Sequence, residues 1–412
     1  MLKEIKDMIH WQQMLVIVFA VAIFCFWGYI RPAQIVGREA FQLFLYNADY
    51  LQDRLSVPGG MARYVGEFIV QFFRFVTLGA FLSALLLVAI QWLSWVLLYR
   101  CLPSVSEKIL FPISFVPSIA LWYLLCDLDT SMTLPVAVLL TMLLMRLLPN
   151  KKKQSLICSL FFVPIGYWIA GPVVLLLSLY HLRWLRGGQS KLLVVSETAA
   201  LALLLVASVV VSSRFVPYSL QNLAKGVDYQ MIQPDKAGTY EELTYDYLLQ
   251  LKDWDGIIKK SYDEEPKSLA CRNVVRMAKY YRGQIGADEL KENLLHTDKV
   301  LTSGSAAMMM SDVYLHMGFI NISQRAAFEV MESTPNFNKS AREMSRLVET
   351  NLITGQYEVA LKYIALLEKT LFYRNWARQM RELATHPETI KDTSFYGELQ
   401  KVYGQTVDVF FF

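Results

Sequence analysis

The chain has 412 residues, of which 54% are hydrophobic and only 18% charged, with a mean hydropathy of +0.32; an ordinary soluble domain carries about 45–50% apolar and about 25% charged residues. The net charge of +4 is unevenly divided: residues 1–213 carry 16 basic and 10 acidic side chains, the remainder 24 and 26. These figures exclude a wholly soluble enzyme, a disordered chain and a strongly basic nucleic-acid binder, so no nucleic-acid partner is expected. The five cysteines form no CxxC pair and no disulfide framework.

The first 213 residues read as an all-α, multi-pass transmembrane domain. A helical span needs about 20 apolar residues, because every backbone N–H must find its acceptor within the segment. Runs at 11–30, 75–98, 109–126, 132–148 and 192–212 meet that need. The first ends in Trp27, Tyr29 and Arg31 rather than a small-residue cleavage site, which marks an anchor and not a removable signal. Between the first two spans, apolar residues at helical spacing on either side of Pro58-Gly59-Gly60 predict interfacial helices over 38–54 and 61–74.

Segment 155–182 is harder to read. Its 28 residues are too long for one straight crossing, and it contains Pro164, Gly166 and Gly171-Pro172. A re-entrant or short hairpin and a single kinked span are both open. Basic residues favour the hairpin: Lys3, Lys6, Arg100, Lys108, Arg146 and Lys151-Lys152-Lys153 fall on one side if the spans alternate. A returning segment adds Arg183, Arg186 and Lys191 to the same side. That side is expected to be the cytoplasm, so that the last span delivers the rear of the chain to the periplasm.

After a linker over 214–238, residues 239–412 are charged and helix-forming, with turns near 253, 283, 318 and 355. Leu352, Gly355, Tyr357, Ala360 and Tyr363 resemble a tetratricopeptide repeat, where Gly permits the interhelix turn and Ala lets helices approach. Gly318 and the terminating Pro335 mark the preceding unit. A helical solenoid is predicted, in which stacking buries the apolar stripe that each helix pair leaves open. The final Phe residues of 407–412 are expected to pack on the last pair.

Pro58-Gly59-Gly60 with Gly66-Glu67-Phe68 and Gln71-Phe72-Phe73, the stretch Tyr167-Trp168-Ile169-Ala170-Gly171, Phe328 to Lys339, and Thr370 to Trp376 together resemble an uncharacterised multi-pass membrane protein family of the Bacteroidota. The resemblance spans nearly the whole chain. It implies a bacterial inner-membrane protein with a helical-repeat rear, and it implies no activity.

The candidate chemistry lies in acids that this topology places outside: Glu39, Asp49, Asp53 and Glu67 in the first loop, Asp127 and Asp129 in another. Carboxylates at a membrane interface can hold a divalent cation or act as a general base. They can equally be solvated loop acids balancing Arg31, Arg38, Arg54 and Arg63. Glu197 enters the last span at head-group depth. The five His are scattered, and no phosphate-binding, dinucleotide, serine-hydrolase or zinc-protease motif is present, so neither cofactor nor metal is expected. Met308-Met309-Met310 reads as helix core or as an adaptable surface, and Lys151-Lys152-Lys153 as a topology determinant with membrane lipid as partner.

The leading expectation is a non-enzymatic scaffold whose repeat domain binds an unidentified protein or peptide. The alternative is a lipid-linked glycosyl or related envelope transferase using the first-loop acids, whose layout is similar to that of membrane-embedded polyprenyl-phosphate-sugar transferases. A transporter comes third.

Overall fold

The computed structural model describes residues 2–186, 190–230, 237–294, 298–334 and 339–405, and the chain is all-α with no strand among them. It divides into two compact units. One comprises Met1–Arg31 with Ala48–Met231, the other Pro32–Asn47 with Ile232–Phe412.

In the first unit five segments are long and apolar enough to cross a membrane: Trp11–Ile30, Val76–Cys101, Glu107–Leu125, Lys152–Ala170 and Lys191–Ser212. The helix α1 (Leu2–Cys25) continues through a wide π turn to Ile30. Helix α2 (Pro32–Ala40) belongs to the second unit, and α3 (Ala48–Leu55) and α4 (Gly60–Val70) return the chain to the first. Thus two helices stand where one was expected over 38–54. The intervening strip is held by the second unit instead: Leu43 is buried among Met331, Met344 and Val348, and Tyr46 N–H donates to Lys369 C=O at 2.8 Å.

Helix α5 (Val76–Cys101) buries Gly79, Ala80, Ser83 and Ala84, small residues that let α1 pack closely. The segment Glu107–Leu125 is broken into α6 (Glu107–Ile113) and α7 (Val116–Leu125) by Pro112 and by Pro117 at the start of α7. Side chains restore polar partners around the break: Ser114 Oγ donates to Phe111 C=O, Gln91 Nε2 donates to Ser114 Oγ, and Ser118 Oγ donates to Leu87 C=O. Helix α8 (Thr133–Leu147) has 15 residues, about 22 Å at 1.5 Å per residue, and is shorter than the apolar run that contains it.

Helix α9 (Lys152–Ala170) runs through Pro164 without interruption and stops at Gly171, whose φ of 78° is open to glycine and strained for other residues. The chain then returns through a 3₁₀ turn, α10 (Leu175–Tyr180) and a second 3₁₀ stretch, His181–Arg186. Both legs meet at α11 (Lys191–Ser212), because Lys152 Nζ and His181 Nε2 both contact Glu197 Oε2, at 2.9 and 3.0 Å. Arg183 donates to Pro149 C=O and Ser155 Oγ, and Arg100 to Arg146 C=O. These contacts gather 100–108, 146–155 and 181–197 at one end of the unit. At the opposite end lie α3, α4, the 126–132 turn, the tip at Gly171 and α12 (Leu220–Lys225), joined by Gly59 N–H to Trp168 C=O, Trp168 Nε1 to Leu55 C=O and Ser131 N–H to Tyr229 C=O, each at 2.9 Å.

The second unit is built from α13 (Tyr240–Gln250), α14 (Trp254–Asp263), α15 (Leu269–Tyr281), α16 (Ala287–Asn293), α17 (Gly304–His316), α18 (Ile320–Ser333), α19 (Ala341–Ile353), α20 (Tyr357–Leu367), α21 (Arg374–Thr385) and α22 (Tyr396–Gln405). Helices α13 to α16 pack in succession, as do α17 to α21, while α17 also packs on α15 and α22 returns to α19. Four interhelix turns share one device. Lys252, Gly283, Gly318 and Gly355 each have positive φ, and the next residue's N–H bonds a carbonyl five residues back, at Leu248, Lys279, Tyr314 and Asn351. That six-to-one bond closes a Schellman cap and turns the chain sharply. Asp253, Ser303 and Ser340 then cap the N-termini of α14, α17 and α19, while Thr239 and Glu242 form a capping box on α13. Ala360 is fully buried and Tyr357 half-buried against the same core as Met344 and Leu352. Met308, Met309 and Met310 are all buried, as helix core requires. Pro335 and the tail from 406 lie outside the described residues.

Candidate functional site

The strongest concentration of ionisable side chains in the first unit is built on α3 and α4. The two helices are joined by the sharp Pro58-Gly59-Gly60 turn, and Gly59 adopts φ 84°. Glu67 is 4% exposed. Its Oε1 accepts from Arg63 Nε at 2.8 Å, and its Oε2 accepts from Arg54 Nε at 2.8 Å and from the Tyr50 hydroxyl at 2.6 Å. Arg63 Nη1 reaches on to Asp228 Oδ1 at 3.0 Å. Burial by itself would push the Glu67 carboxyl up, but the guanidinium groups of Arg63 and Arg54 outweigh it and hold the group below the usual carboxylate range. The same burial, with the Glu67 charge, raises the Tyr50 phenol well above its ordinary value.

The expected acids do not converge. Asp49 and Asp53 are exposed on α3, and Glu39 is buried in the second unit within 3.4 Å of the Tyr373 hydroxyl. Asp127 is exposed and caps its own turn by accepting from Asp129 N–H at 3.2 Å. Among the described residues no group of three or more His, Cys, Asp or Glu is placed to hold a metal ion. Lys151 and Lys153 are exposed, whereas Lys152 is committed to Glu197.

Tyr229 and Asp228 were invisible as site residues in the sequence, since their partners lie 59 and 165 positions away. The Tyr229 hydroxyl donates to Ala170 C=O at 2.5 Å and accepts from Val173 N–H at 3.2 Å, so it pairs one carbonyl and one amide that the helix break at Gly171 leaves without an intrahelical partner.

A second buried charge cluster lies within the second unit. Arg342 forks onto both oxygens of Asp246 at 2.8 Å each and also contacts Asp312. Arg346 contacts Asp312 and donates to Glu349 Oε2 at 2.6 Å, and the Tyr396 hydroxyl donates to Glu349 Oε1 at 2.9 Å. Asp312 is held down at about 2, because the two arginines overcome its burial. Glu343, 1% exposed, is pushed up to about 7 by burial, for the guanidinium groups beside it are already taken. These carboxylates and arginines tie α13, α17, α19 and α22 together.

No curated protein and no solved structure matches this chain. The model of a family of unknown function, DUF6057, matches residues 8–412, nearly the whole of both units, and the chain belongs to that family.

Proposed function

We propose that this is a multi-pass protein of a bacterial inner membrane, of the Bacteroidota, that displays a tetratricopeptide-like helical domain in the periplasm for binding a protein or peptide. The observation that carries this reading is the segregation of charge in the first unit. Arg100, Lys108, Arg146, Lys151, Lys152, Lys153, Arg183, Arg186 and Lys191 belong to connections gathered at one end. The other end carries fewer bases, Arg31, Arg54, Arg63, Arg74, Arg214 and Lys225, and of these Arg54 and Arg63 are paired with Glu67 and Asp228. Basic connections remain in the cytoplasm, so the Gly171 tip, the first loop and the segment leading out of α11 face the periplasm. The recurring capped turns at 252, 283, 318 and 355 support a repeat array, whose stacked helices offer an extended surface for a partner.

The transferase reading has less support, because both oxygens of Glu67 are occupied by arginines and a tyrosine and the remaining loop acids are dispersed. Alkaline phosphatase fused near Gly226 is expected to be active, and a fluorescent protein fused there to be dark. The opposite pattern refutes the orientation.

A further inference from the structure

At the basic end of the first unit three guanidinium groups converge without a counter-ion. Arg183 and Arg186 share the 3₁₀ stretch His181–Arg186, Arg183 reaches Pro149 C=O, and Arg100 reaches Arg146 C=O in the same connection, which brings the three to one site beside Cys101. Among the described residues none of the three pairs with a carboxylate. Of the acids at this end, Glu197 is engaged by Lys152 and His181, and Glu107, at the start of α6, forms no ion pair with any of the three among the described residues. The residues that follow, Gly187, Gly188 and Gln189, bring no negative charge. This contrasts with Arg54, Arg63, Arg342 and Arg346, each of which contacts a carboxylate.

The local scaffold holds the charges in place rather than dispersing them. The Arg183 guanidinium lies over the Tyr180 ring at 4.1 Å and over the Trp184 ring at 5.1 Å, and two of its hydrogen bonds go to the neutral acceptors Pro149 C=O and Ser155 Oγ. Arg100 spends one bond on Arg146 C=O. Arg186 is exposed and, among the described residues, makes no hydrogen bond. Among the same residues the buried Trp184 indole N–H finds no acceptor. A cluster of like charges beside an unused donor, at the ends of membrane helices, is complementary to an anion with several acceptor oxygens.

We propose that Arg100, Arg183 and Arg186, with the Trp184 indole, bind the phosphodiester head group of an anionic phospholipid. This rests on the membrane reading above. Native mass spectrometry of the full chain, extracted from vesicles of phosphatidylcholine with a minority of phosphatidylglycerol, is the test. The wild-type chain is expected to retain phosphatidylglycerol selectively. Each lost guanidinium should reduce retention more than tenfold, the equivalent of at least about 1.5 kcal/mol for a hydrogen bond between charged groups. R186Q should show that loss without disturbing any hydrogen bond, R100Q/R186Q a larger one, and K153Q, a basic residue at the same end outside the cluster, should change retention less than twofold.

Equal losses in K153Q and R186Q, or no preference for phosphatidylglycerol in a chain that remains in the membrane after alkaline extraction, overturn the site while leaving the membrane reading intact. A chain released by alkaline extraction overturns the membrane reading itself. Calorimetric titration of the delipidated chain with sodium phosphate is expected to give no binding heat, and a saturable isotherm abolished in R100Q/R186Q would replace the lipid by a soluble phosphate.

Discussion

Glu343→Gln should make the second unit more stable above neutral pH and flatten its pH dependence. In the wild-type chain Arg342 is shared by Asp246 and Asp312, and Arg346 by Asp312 and Glu349, so the nearest cationic nitrogen to Glu343, Arg342 Nε at 3.8 Å, is already surrounded by other acids. Its Oε2 is buried with no hydrogen-bond partner. A carboxyl raised from 4.5 to about 7 binds its proton more tightly in the folded chain than in the unfolded one. Its contribution is therefore complete below the unfolded value and is lost as pH rises through about 7. The full displacement corresponds to about 3 kcal/mol at 1.36 kcal/mol per unit, or about 6–12 °C in melting temperature for a unit of this size.

Asp312 acts in the other direction, but at about 2 its loss falls in strong acid, outside the window. His316, pushed below 6.5 by burial, also stabilises with rising pH, so the informative quantity is the difference between wild type and variant. Scanning fluorimetry of the full chain in detergent from about pH 5.5 to about pH 8.5 measures it. The wild type should fall relative to E343Q as pH rises. Parallel curves would show that Glu343 is ionised throughout and that its burial is not what sets its protonation.

Glu67→Gln removes the negative charge shared by Arg54 and Arg63 and leaves two buried cations poorly compensated, which should cost about 3–5 kcal/mol and lower the melting temperature of the purified chain; a variant as stable as wild type would place those arginines in contact with water. Tyr229→Phe keeps the ring but deletes both hydrogen bonds at the Gly171 break, at a cost of about 1–3 kcal/mol, read as faster hydrogen exchange at Val173. At Gly355, φ is 78° and an added Cβ would meet nothing within 4 Å, so the penalty comes from the backbone alone. Gly355→Val should cost about 1–2 kcal/mol and Gly355→Asn little, by thermal unfolding; equal effects would mean that space, not conformation, limits the turn.

The apolar runs located four of the five helices that are long and apolar enough to cross a membrane, because hydrocarbon would impose a length and composition on each crossing by itself; the fifth, Lys152–Ala170, lay within the segment read as a hairpin or kinked span. The interhelix turns were legible for a similar reason, since a positive φ selects glycine locally at 283, 318 and 355. At 252 the same conformation is taken by Lys252, and only the neighbouring Asp253 cap gave a signal. What one sequence does not reveal is pairing at long range. The Ser340 hydroxyl donates to Ala40 C=O across 300 positions, and Pro32–Asn47 groups with the rear of the chain although its composition resembles an interfacial loop. The Glu67 cluster was half visible: Glu67 stood out at the edge of an apolar helix, but nothing in its neighbourhood announced Asp228. For α9, Pro164 suggested an interruption that the helix tolerates, and the break came at Gly171, where a side chain arriving from beyond α11 supplies the missing partners.

That last arrangement sets an order of biosynthesis. The ribosome makes Ala170 and Val173 well before Tyr229, so a nascent chain made only as far as α10 still carries an uncapped carbonyl and amide at the apex of its returning segment. Only when α11 has been threaded and the residues behind it have emerged is that apex sealed. A polypeptide stalled or truncated between 213 and 229 would thus expose a polar defect that a finished one conceals, giving proteolytic surveillance a physical mark by which to tell them apart.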